Sequence, residues 1–421
     1  MQVFALFLLL FREYSYFCNK IAYLLRENTF FNPENDLALA DGNANYCPPP
    51  AARAIAYDLA SLPLWYAMPG DSVILPDALH ASYRSGMATV FDVAREYTGG
   101  AGRCAPWGWS KQVCRRLAAM GFSADALMPA EAVEQVRYLS NRKNVIDVLQ
   151  YLSAAGVDVP ELPAFYSDPA DVARFINSMP RSVVKAPWSG SGKGIAWGIG
   201  RVEVPVEHFY KGVIRRQGGV LCERFYNKAV DFAMEFCAND AGVSFAGYSL
   251  FTCEGGSYSG NILATDTDIE RFLAGYVPVE ELRKVRAALE ACLTRMLAPV
   301  GYCGYLGVDM LVYSNGGGYR LHPCIEVNLR MNMGAVARLF YDRFVVTGRC
   351  GRFEVPFYRQ EGEALRVHDA LRAKYPLLVE KGRVKSGYLN LAPVTASSRY
   401  SAYVVVGDDA SPAALYTGVV D

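Results

Sequence analysis

The chain has 421 residues, more than one domain usually contains, so we expect two or three structural units. Its 52% hydrophobic and 20% charged residues are typical of a folded globular protein and exclude extended disorder. Basic and acidic residues both number 42, so no net charge would attract nucleic acid or an anionic membrane, and any phosphate must be bound locally.

Residues 1–29 are interpreted as an N-terminal extension. The apolar stretch from Val3 to Phe11 has no basic residue before it and no small-residue cleavage pattern after it. It is also shorter than the roughly 20 residues that a membrane helix needs. We therefore favour a short packed helix, or a start upstream of the folded domain, over a signal peptide.

Residues 30–136 read as an α/β unit, because short apolar runs alternate with turn-rich pieces. The segment FNPENDLALADGNANYCPPP is followed by the helical pattern AARAIAYDLASL and the strand-like SVILP. The polar cluster from Asn32 to Asp36 is explained by Asx turns and a helix cap, yet it could also line a substrate cleft.

Residues 137–345 form a second predicted unit. Two helical segments, one around Val145 to Leu152 and one from Asp168, come first. Strands are then predicted at RSVVKAP, VLCERF, KAVDFAMEF, VSFAGYSLF and SYSGNILA, with a helix between Val206 and Gln217. An amphipathic helix from Val279 to Leu297 precedes a hairpin in which YLGVDMLVY and YRLHPCIEVN flank the turn SNGGG.

Residues 346–421 are predicted to be a small β-rich unit packed on the second domain. A helix is expected near His368 to Lys374, and the strand-like segments YLNLAPV and YSAYVVVG follow it. No internal repeat and no low-complexity linker is present in the sequence.

A lysine at a predicted strand end precedes a loop rich in glycine and serine. Backbone N–H groups of such a loop can approach an oxyanion, and Lys185 would add a point charge for phosphate. The loop residues are Ser189, Gly190, Ser191, Gly192, Lys193 and Gly194. The Walker pattern is absent, so a flexible hairpin and a phosphate clamp both remain open.

A second candidate is the strand end that carries Glu223, Arg224, Phe225 and Tyr226. Adenine needs an apolar slot with hydrogen-bonding groups, and a strand leaving a sheet beside aromatic side chains offers both. A surface glutamate on an edge strand is the alternative explanation.

The third candidate is the triplet Asp309, Glu326 and Asn328 in the predicted hairpin. Side chains alternate across a strand, so Glu326 and Asn328 share a face, and Asp309 can lie opposite them. Three oxygen ligands suit Mg²⁺, with nucleotide phosphates completing the coordination. Polar positions on a solvated face are the alternative, although a carboxylate within the apolar run around Asp309 would be costly without a partner. Arg330, at the next position on that face, could hold a carboxylate or phosphoryl group, or form an ordinary salt bridge.

Histidines and cysteines show no spacing that indicates a metal site. We interpret His80, His208, His322 and His368 as structural or surface residues. The 11 cysteines include no C-x-x-C pair, which is typical of buried thiols in a reducing cytosol, so we expect a cytoplasmic protein.

The order of these features resembles the ATP-grasp superfamily over roughly residues 137–343: strand lysine, Gly/Ser loop, helix, strand glutamate, strand aspartate and then E-x-N-x-R. That ending is similar to the one in biotin carboxylase. The resemblance implies an ATP-grasp fold after an α/β pre-ATP-grasp domain, with Mg²⁺ or Mn²⁺ at the Asp309 triplet. It further implies that Lys185 and the loop contact the phosphates of ATP, that Glu223, Phe225 and Tyr226 form the adenine and ribose slot, and that Arg330 faces the reacting groups. Aspartate at 309, where glutamate is more usual, leaves one or two metal ions open.

The function expected from this resemblance is an ATP-dependent ligase that joins a small-molecule carboxylate to an amine or thiol, with carbon–nitrogen bond formation favoured. A phosphotransferase acting on a hydroxyl and a non-catalytic ATP-binding protein are the alternatives. No nucleic acid or membrane partner is expected. The sequence allows a homodimer but decides neither the oligomeric state nor the identity of substrate and acceptor.

Overall fold

The computed structural model describes residues 27–100, 102–190, 194–254, 257–407 and 411–416, so the apolar stretch near the start lies outside the described residues. Within them, every helix is too short or too polar to span a bilayer. The first unit is a parallel four-stranded sheet with strand order β3-β2-β1-β4. Its strands are β1 (Glu27–Phe30), β2 (Ser72–Val73), β3 (Arg95–Glu96) and β4 (Arg103–Pro106). Its helices are α1 (Asn35–Asp41), α2 (Pro50–Asp58), α3 (Ala78–Met87), α4 (Lys111–Ala119) and α5 (Ala130–Leu139).

A small antiparallel sheet follows helix α6 (Val145–Ala154), with strand order β5-β8-β6-β7. Its strands are β5 (Ala164–Tyr166), β6 (Ser182–Lys185), β7 (Ile195–Gly198) and β8 (Val220–Arg224). Helices α7 (Pro169–Ser178) and α8 (Val204–Gln217) contribute Val172, Ile176 and Tyr210 to a core of its own. We call this part, residues 164–224, the small-sheet unit.

The largest element is a nine-stranded sheet with the order β13-β12-β9-β10-β11-β14-β17-β16-β15. Its strands are β9 (Lys228–Asn239), β10 (Gly242–Glu254), β11 (Ser257–Leu263), β12 (Gly304–Ser314), β13 (Tyr319–Asn328), β14 (Cys350–Glu354), β15 (Leu378–Glu380), β16 (Arg383–Asn390) and β17 (Tyr403–Gly407). The accompanying helices are α9 (Asp266–Leu273), α10 (Val279–Leu297), α11 (Met333–Phe344), α12 (Glu363–Lys374) and α13 (Pro412–Leu415).

The large sheet separates an apolar face from a face with polar groups. On β9, Phe232 and Met234 point toward α10, whose Leu282 and Leu289 are fully buried against the sheet. Alternation then places Glu235 on the opposite face, which α11 covers near β10 and β11. Period-two alternation in the strands therefore decides where the polar groups lie.

The predicted mixed α/β class is confirmed, and so are the individual elements around the hairpin. Helix α10 has the predicted bounds, and β12 and β13 pair antiparallel through the predicted turn. After residue 346 the strands continue the large sheet, because β14 pairs with β11 of the preceding unit. The C-terminal strands are thus part of the same sheet as the hairpin.

Candidate nucleotide and metal site

Backbone pairing brings the predicted metal triplet together on one sheet face. Asp309 lies directly opposite Glu326, and Gly307 lies opposite Asn328. Burial, followed by the charge of Glu326, raises the pKa of Asp309 to about 7, while a hydrogen bond from Asn328 opposes the shift. Two carboxyl groups held this close favour a shared cation, because a cation removes their mutual repulsion.

No three His, Cys, Asp or Glu side chains within the described ranges are close enough to hold a metal ion by themselves. A Mg²⁺ ion at this triplet would therefore need the amide oxygen of Asn328 together with oxygens from a bound ligand. That requirement agrees with Mg²⁺ chemistry, which commonly uses one or two carboxylates plus substrate phosphates and water.

Arg142, which no sequence pattern singled out, connects the triplet to the glycine-rich loop. Its Nη2 donates to Glu326 Oε2 at 2.8 Å and to the carbonyl of Ser189 at 3.0 Å. Its Nη1 donates to the carbonyl of Ala186 at 2.8 Å and also to Ser189 Oγ. The guanidinium is 4% exposed, so these contacts are shielded from water.

The base of the loop is a closed hairpin that begins where β6 ends. The amide of Ala186 donates to the carbonyl of Gly194 at 2.8 Å, and Gly194 has a φ of 80°, a conformation that favours glycine. Ser189, Gly190 and Gly194 are thereby placed around this turn. Ser191, Gly192 and Lys193, which the sequence also predicted to contact phosphate, lie outside the described residues.

Lys185 and Glu223 form a buried ion pair between β6 and β8. Their side chains are each 6% exposed, and they lie on one face of the small sheet because Val183 pairs with Glu223 in register. The sequence predicted separate contacts for the two, with phosphate and with adenine. The structure brings them together at a single position.

Within the part of the chain that the structure describes, three buried polar atoms at this position have no hydrogen-bond partner: Glu223 Oε2 of this pair, and Tyr226 Oη and His322 Nδ1 beside it. The ring of Tyr226 packs edge-on against His322, with centroids 5.2 Å apart. Burial, followed by the charge of Lys185, lowers the pKa of His322 to about 3, so the imidazole is neutral. A buried polar atom without a partner is costly, and a ligand with its own donors and acceptors would satisfy all three.

We call these three atoms the base slot, after the adenine contact expected from the sequence for Glu223 and Tyr226. Glu223 belongs to the small-sheet unit, whereas His322 belongs to the large sheet, so the slot lies between two separately packed parts. All three atoms are closed off from solvent. The three atoms thus lie where the small-sheet unit meets the large sheet.

The remaining predicted slot residues take other positions. Arg224 is exposed. The guanidinium of Arg181 lies over the ring of Phe225, with its Cζ 3.6 Å from the ring centroid. His322 was interpreted as structural or surface, and it is 1% exposed. In the sequence, His322 stood out only as a polar residue within an apolar strand. A histidine with a structural role produces the same pattern.

The guanidinium of Arg330 donates two hydrogen bonds to a carboxylate of the first unit. Its Nε and Nη2 each donate to the carboxylate of Asp36 at 2.8 Å, and Nη2 also donates to Asn328 Oδ1 at 2.9 Å. Its Nη1 donates to the carbonyl of Met331 at 3.1 Å. Arg330 therefore lies beside the triplet, but Asp36 occupies the fork that the sequence assigned to a substrate anion.

Glu235 is a further acidic residue near the triplet that sequence reasoning did not select. It is 1% exposed, and its Oε2 accepts from Asn332 Nδ2 at 2.8 Å. Burial raises the pKa of Glu235 from 4.5 to about 8, so the group is protonated near neutral pH. Glu235 could have been found from the sequence by the pattern that identified Asp309, because both are carboxylates within an apolar strand.

No protein-family model and no curated protein sequence matches the chain. Solved structures do resemble it. Biotin carboxylase from Campylobacter jejuni, in a β,γ-ATP complex, has a TM-score of 0.50 at 11% identity, over 92% of this chain and 88% of that one. N5-carboxyaminoimidazole synthetase from Staphylococcus aureus has a TM-score of 0.46 at 11% identity, over 91% of this chain and 94% of that one. Identities this low show a shared fold and nothing about the reaction.

Proposed function

Because this chain has the ATP-grasp fold, we propose that it binds Mg-ATP and uses it to activate a substrate carboxylate for attack by an amine or thiol. The observation that carries the proposal is the arrangement of two separate sets of groups. The base slot lies at one end, the Asp309 triplet lies at the other, and Arg142 and the glycine-rich loop lie between them.

In this proposal each group of the chain has a defined task. Glu223, Tyr226 and His322 hold the base, Lys185 places positive charge beside the phosphates, and the loop covers them. Asp309, Glu326 and Asn328 hold Mg²⁺, which supplies charge neutralisation during phosphoryl transfer. The protein acts through position, fixed charge and exclusion of water.

The reaction then has two steps. A carboxylate oxygen of the substrate forms a bond to the γ-phosphorus of ATP, the bond to the β–γ bridging oxygen breaks, and ADP leaves. An amine or thiol next attacks the acyl carbon, and inorganic phosphate leaves with the bonding electrons. Closure of the small-sheet unit excludes water, which would otherwise hydrolyse the acyl phosphate.

A nucleophile test separates this ligase from the phosphotransferase alternative. The protein is incubated with Mg-ATP and pools of small carboxylic acids and amines, and ADP, free phosphate and phosphorylated products are measured. A ligase gives ADP and free phosphate in equal amounts with a condensed product, whereas a phosphotransferase gives a stable phosphorylated hydroxyl compound. ATP binding without any ADP release identifies a non-catalytic protein.

The metal assignment is tested by Glu326→Ala and Asn328→Ala, with Glu361→Gln as an exposed control. We expect the first two variants to lose Mg-dependent ATP binding while the fold stays largely intact, because each removes a ligand oxygen. Isothermal titration with ATP, with and without Mg²⁺, measures this. Unchanged affinity in both variants would rule out the triplet as the metal site.

A further inference from the structure

Asp36 lies in the polar segment of the first unit whose role the proposed function leaves open. It is the second residue of α1, and its carboxylate reaches across to Arg330 at the end of β13. The two residues are 294 positions apart in the chain. This pair is a direct link between the first unit and the metal triplet.

The link is bidentate and shielded. Both carboxylate oxygens of Asp36 accept from Arg330, at 2.8 Å each, and the two side chains are 18% and 14% exposed. A two-bond pair of this kind fixes the plane of the guanidinium as well as its position. Arg330 therefore has one orientation while Asp36 holds it.

That orientation places Arg330 on the amide of Asn328. Its Nη2 donates to Asp36 and to Asn328 Oδ1, which is the oxygen that would bind the metal ion. Asn328 in turn lies next to Asp309, and its amide donates a hydrogen bond that opposes the rise in the pKa of Asp309 caused by burial. The position of Asn328 thus depends on Asp36 through Arg330.

Hydrogen bonds on both sides of Asp36 in the chain hold its helix in place. Asn32 is fully buried and donates through Nδ2 to the carbonyl of Gly108 at 2.9 Å. The carbonyl of Leu39 accepts from Arg137 Nε at 2.7 Å. Helix α1 is anchored on both sides of Asp36, so the carboxylate does not follow the movements of a free loop.

The glycine-rich loop contacts the same carboxylate. A Cβ atom added to Gly190 would lie 2.6 Å from Asp36 Oδ2, a distance that carbon and oxygen without a bond do not reach. Glycine at 190 therefore permits the loop to lie against Asp36. The glycine-rich loop therefore lies against the first unit at Asp36, the same side chain that Arg330 links to the metal triplet.

We propose that Asp36 is a positioning residue that orients the metal ligand Asn328 through Arg330, and so makes the metal site depend on the first unit. The proposal rests on the function proposed above. It also places the substrate anion elsewhere than on the donor fork of Arg330, because Asp36 occupies that fork.

The test compares Asp36→Asn with Asp41→Asn, a control on the exposed end of the same helix. Mn²⁺ affinity in the presence of ATP is measured by electron paramagnetic resonance, and ATP affinity without metal is measured by titration. We expect Asp36→Asn to weaken Mn²⁺ binding by about tenfold, the usual effect of losing a residue that orients a metal ligand. ATP affinity without metal should remain that of the unaltered protein.

Arg330→Lys gives the second arm, because lysine keeps the charge but cannot bind Asp36 and Asn328 together as a planar fork. The variant that carries both Asp36→Asn and Arg330→Lys should bind Mn²⁺ no more weakly than the weaker of the two single variants. The reason is that both substitutions break the same link. Should Asp36→Asn fail to fold, Arg330→Lys alone decides by the same measurement.

Two results would overturn the proposal: Mn²⁺ affinity unchanged in Asp36→Asn, or an equal fall in Mn²⁺ and metal-free ATP affinity, which indicates a structural role only. Additive losses in the double variant would also contradict it. If the unaltered protein binds neither Mn²⁺ nor ATP, the proposed function fails instead, so the two failures are distinguishable.

Discussion

Two acidic residues, Asp309 and Glu235, interrupt apolar strands that are neighbours in the large sheet. Gly307, two residues before Asp309, lies opposite Glu235, so both acidic side chains point to the same face. Burial raises the pKa of each, to about 7 for Asp309 and to about 8 for Glu235. The two differ in their partners, because Asp309 faces a second carboxylate whereas Glu235 accepts from the amide of Asn332. These partners are consistent with the metal-binding role proposed for Asp309 and with a protonated, structural state of Glu235.

Glu235 makes the stability of the protein dependent on pH. Its folded pKa of about 8 exceeds its ordinary value of 4.5, so the folded state holds the proton that the unfolded state loses. Stability therefore falls as pH rises from 4.5 to 8, and the group contributes no such dependence below 4.5. We expect Glu235→Gln to be more stable than the unaltered protein at pH 7, by on the order of 3 kcal/mol. Urea unfolding at pH 4.5 and at pH 7 measures the difference, which should disappear at the lower pH.

Tyr226 has a buried hydroxyl with no hydrogen-bond partner among the described residues, so its removal should weaken ATP binding without weakening the fold. We expect Tyr226→Phe to leave stability unchanged or slightly higher, because a desolvated hydroxyl is lost. ATP affinity should fall by about fivefold, the effect of losing roughly 1 kcal/mol from one hydrogen bond. Tyr313→Phe, in the ring that packs against Tyr226 at 4.7 Å, is the control. Equal ATP affinity in the two variants would remove Tyr226 from the base slot.

At the scale of elements, the hairpin of β12 and β13 packs closely against β9 and α11 because two positions at this contact are glycines. A Cβ on Gly307 would lie 2.6 Å from both Glu235 Oε2 and Asn332 Nδ2. Gly334 in α11 likewise has no space for a Cβ, since Glu235 and Ser249 lie against it. The hairpin, β9 and α11 can approach one another only with glycine at these two positions.

Gly307→Ala tests this close approach, with Gly317→Ala in the hairpin turn as the matched control. A Cβ at Gly317 has nothing within 4 Å, so the control should be neutral. We expect Gly307→Ala to destabilise the fold by about 1–3 kcal/mol, because the new methyl group forces apart the buried pair of Glu235 and Asn332. Thermal unfolding followed by calorimetry measures both variants. An equal midpoint for the two would mean that the sheet accommodates the methyl group.

At the scale of the whole molecule, the first unit and the C-terminal strands share one hydrophobic core. Trp65 is fully buried, its ring packs on Phe340 and Phe344 of α11, and its Nε1 donates to the carbonyl of Leu391 at 2.9 Å. The small-sheet unit has a separate core. The first unit and the C-terminal strands are therefore packed together through side chains that the small-sheet unit does not share.

Leu391→Ala and Val213→Ala should distinguish these two cores. Both side chains are buried, Leu391 in the shared core and Val213 in the small-sheet unit. We expect Leu391→Ala to cost about 2–5 kcal/mol and to destabilise the first unit as well, because it leaves a cavity in the core that the two parts share. Hydrogen exchange across the whole chain is the measurement. Val213→Ala should speed exchange in residues 164–224 only, and a spread of its effect into β1 or β17 would contradict the separation.

The sequence by itself determined the bounds of α10, the hairpin, and the shared face of Asp309, Glu326 and Asn328. Each follows from a local period, 3.6 residues for a helix and two for a strand, which the chain carries wherever it packs. Only the tertiary structure decided that Arg142 contacts Glu326, 184 residues away, and that Asp36 holds Arg330, 294 residues away. A buried arginine and a surface arginine look the same in a sequence, because contacts between distant segments have no local period. The shared face of the triplet was thus predictable, whereas the residues that contact it from distant segments were not.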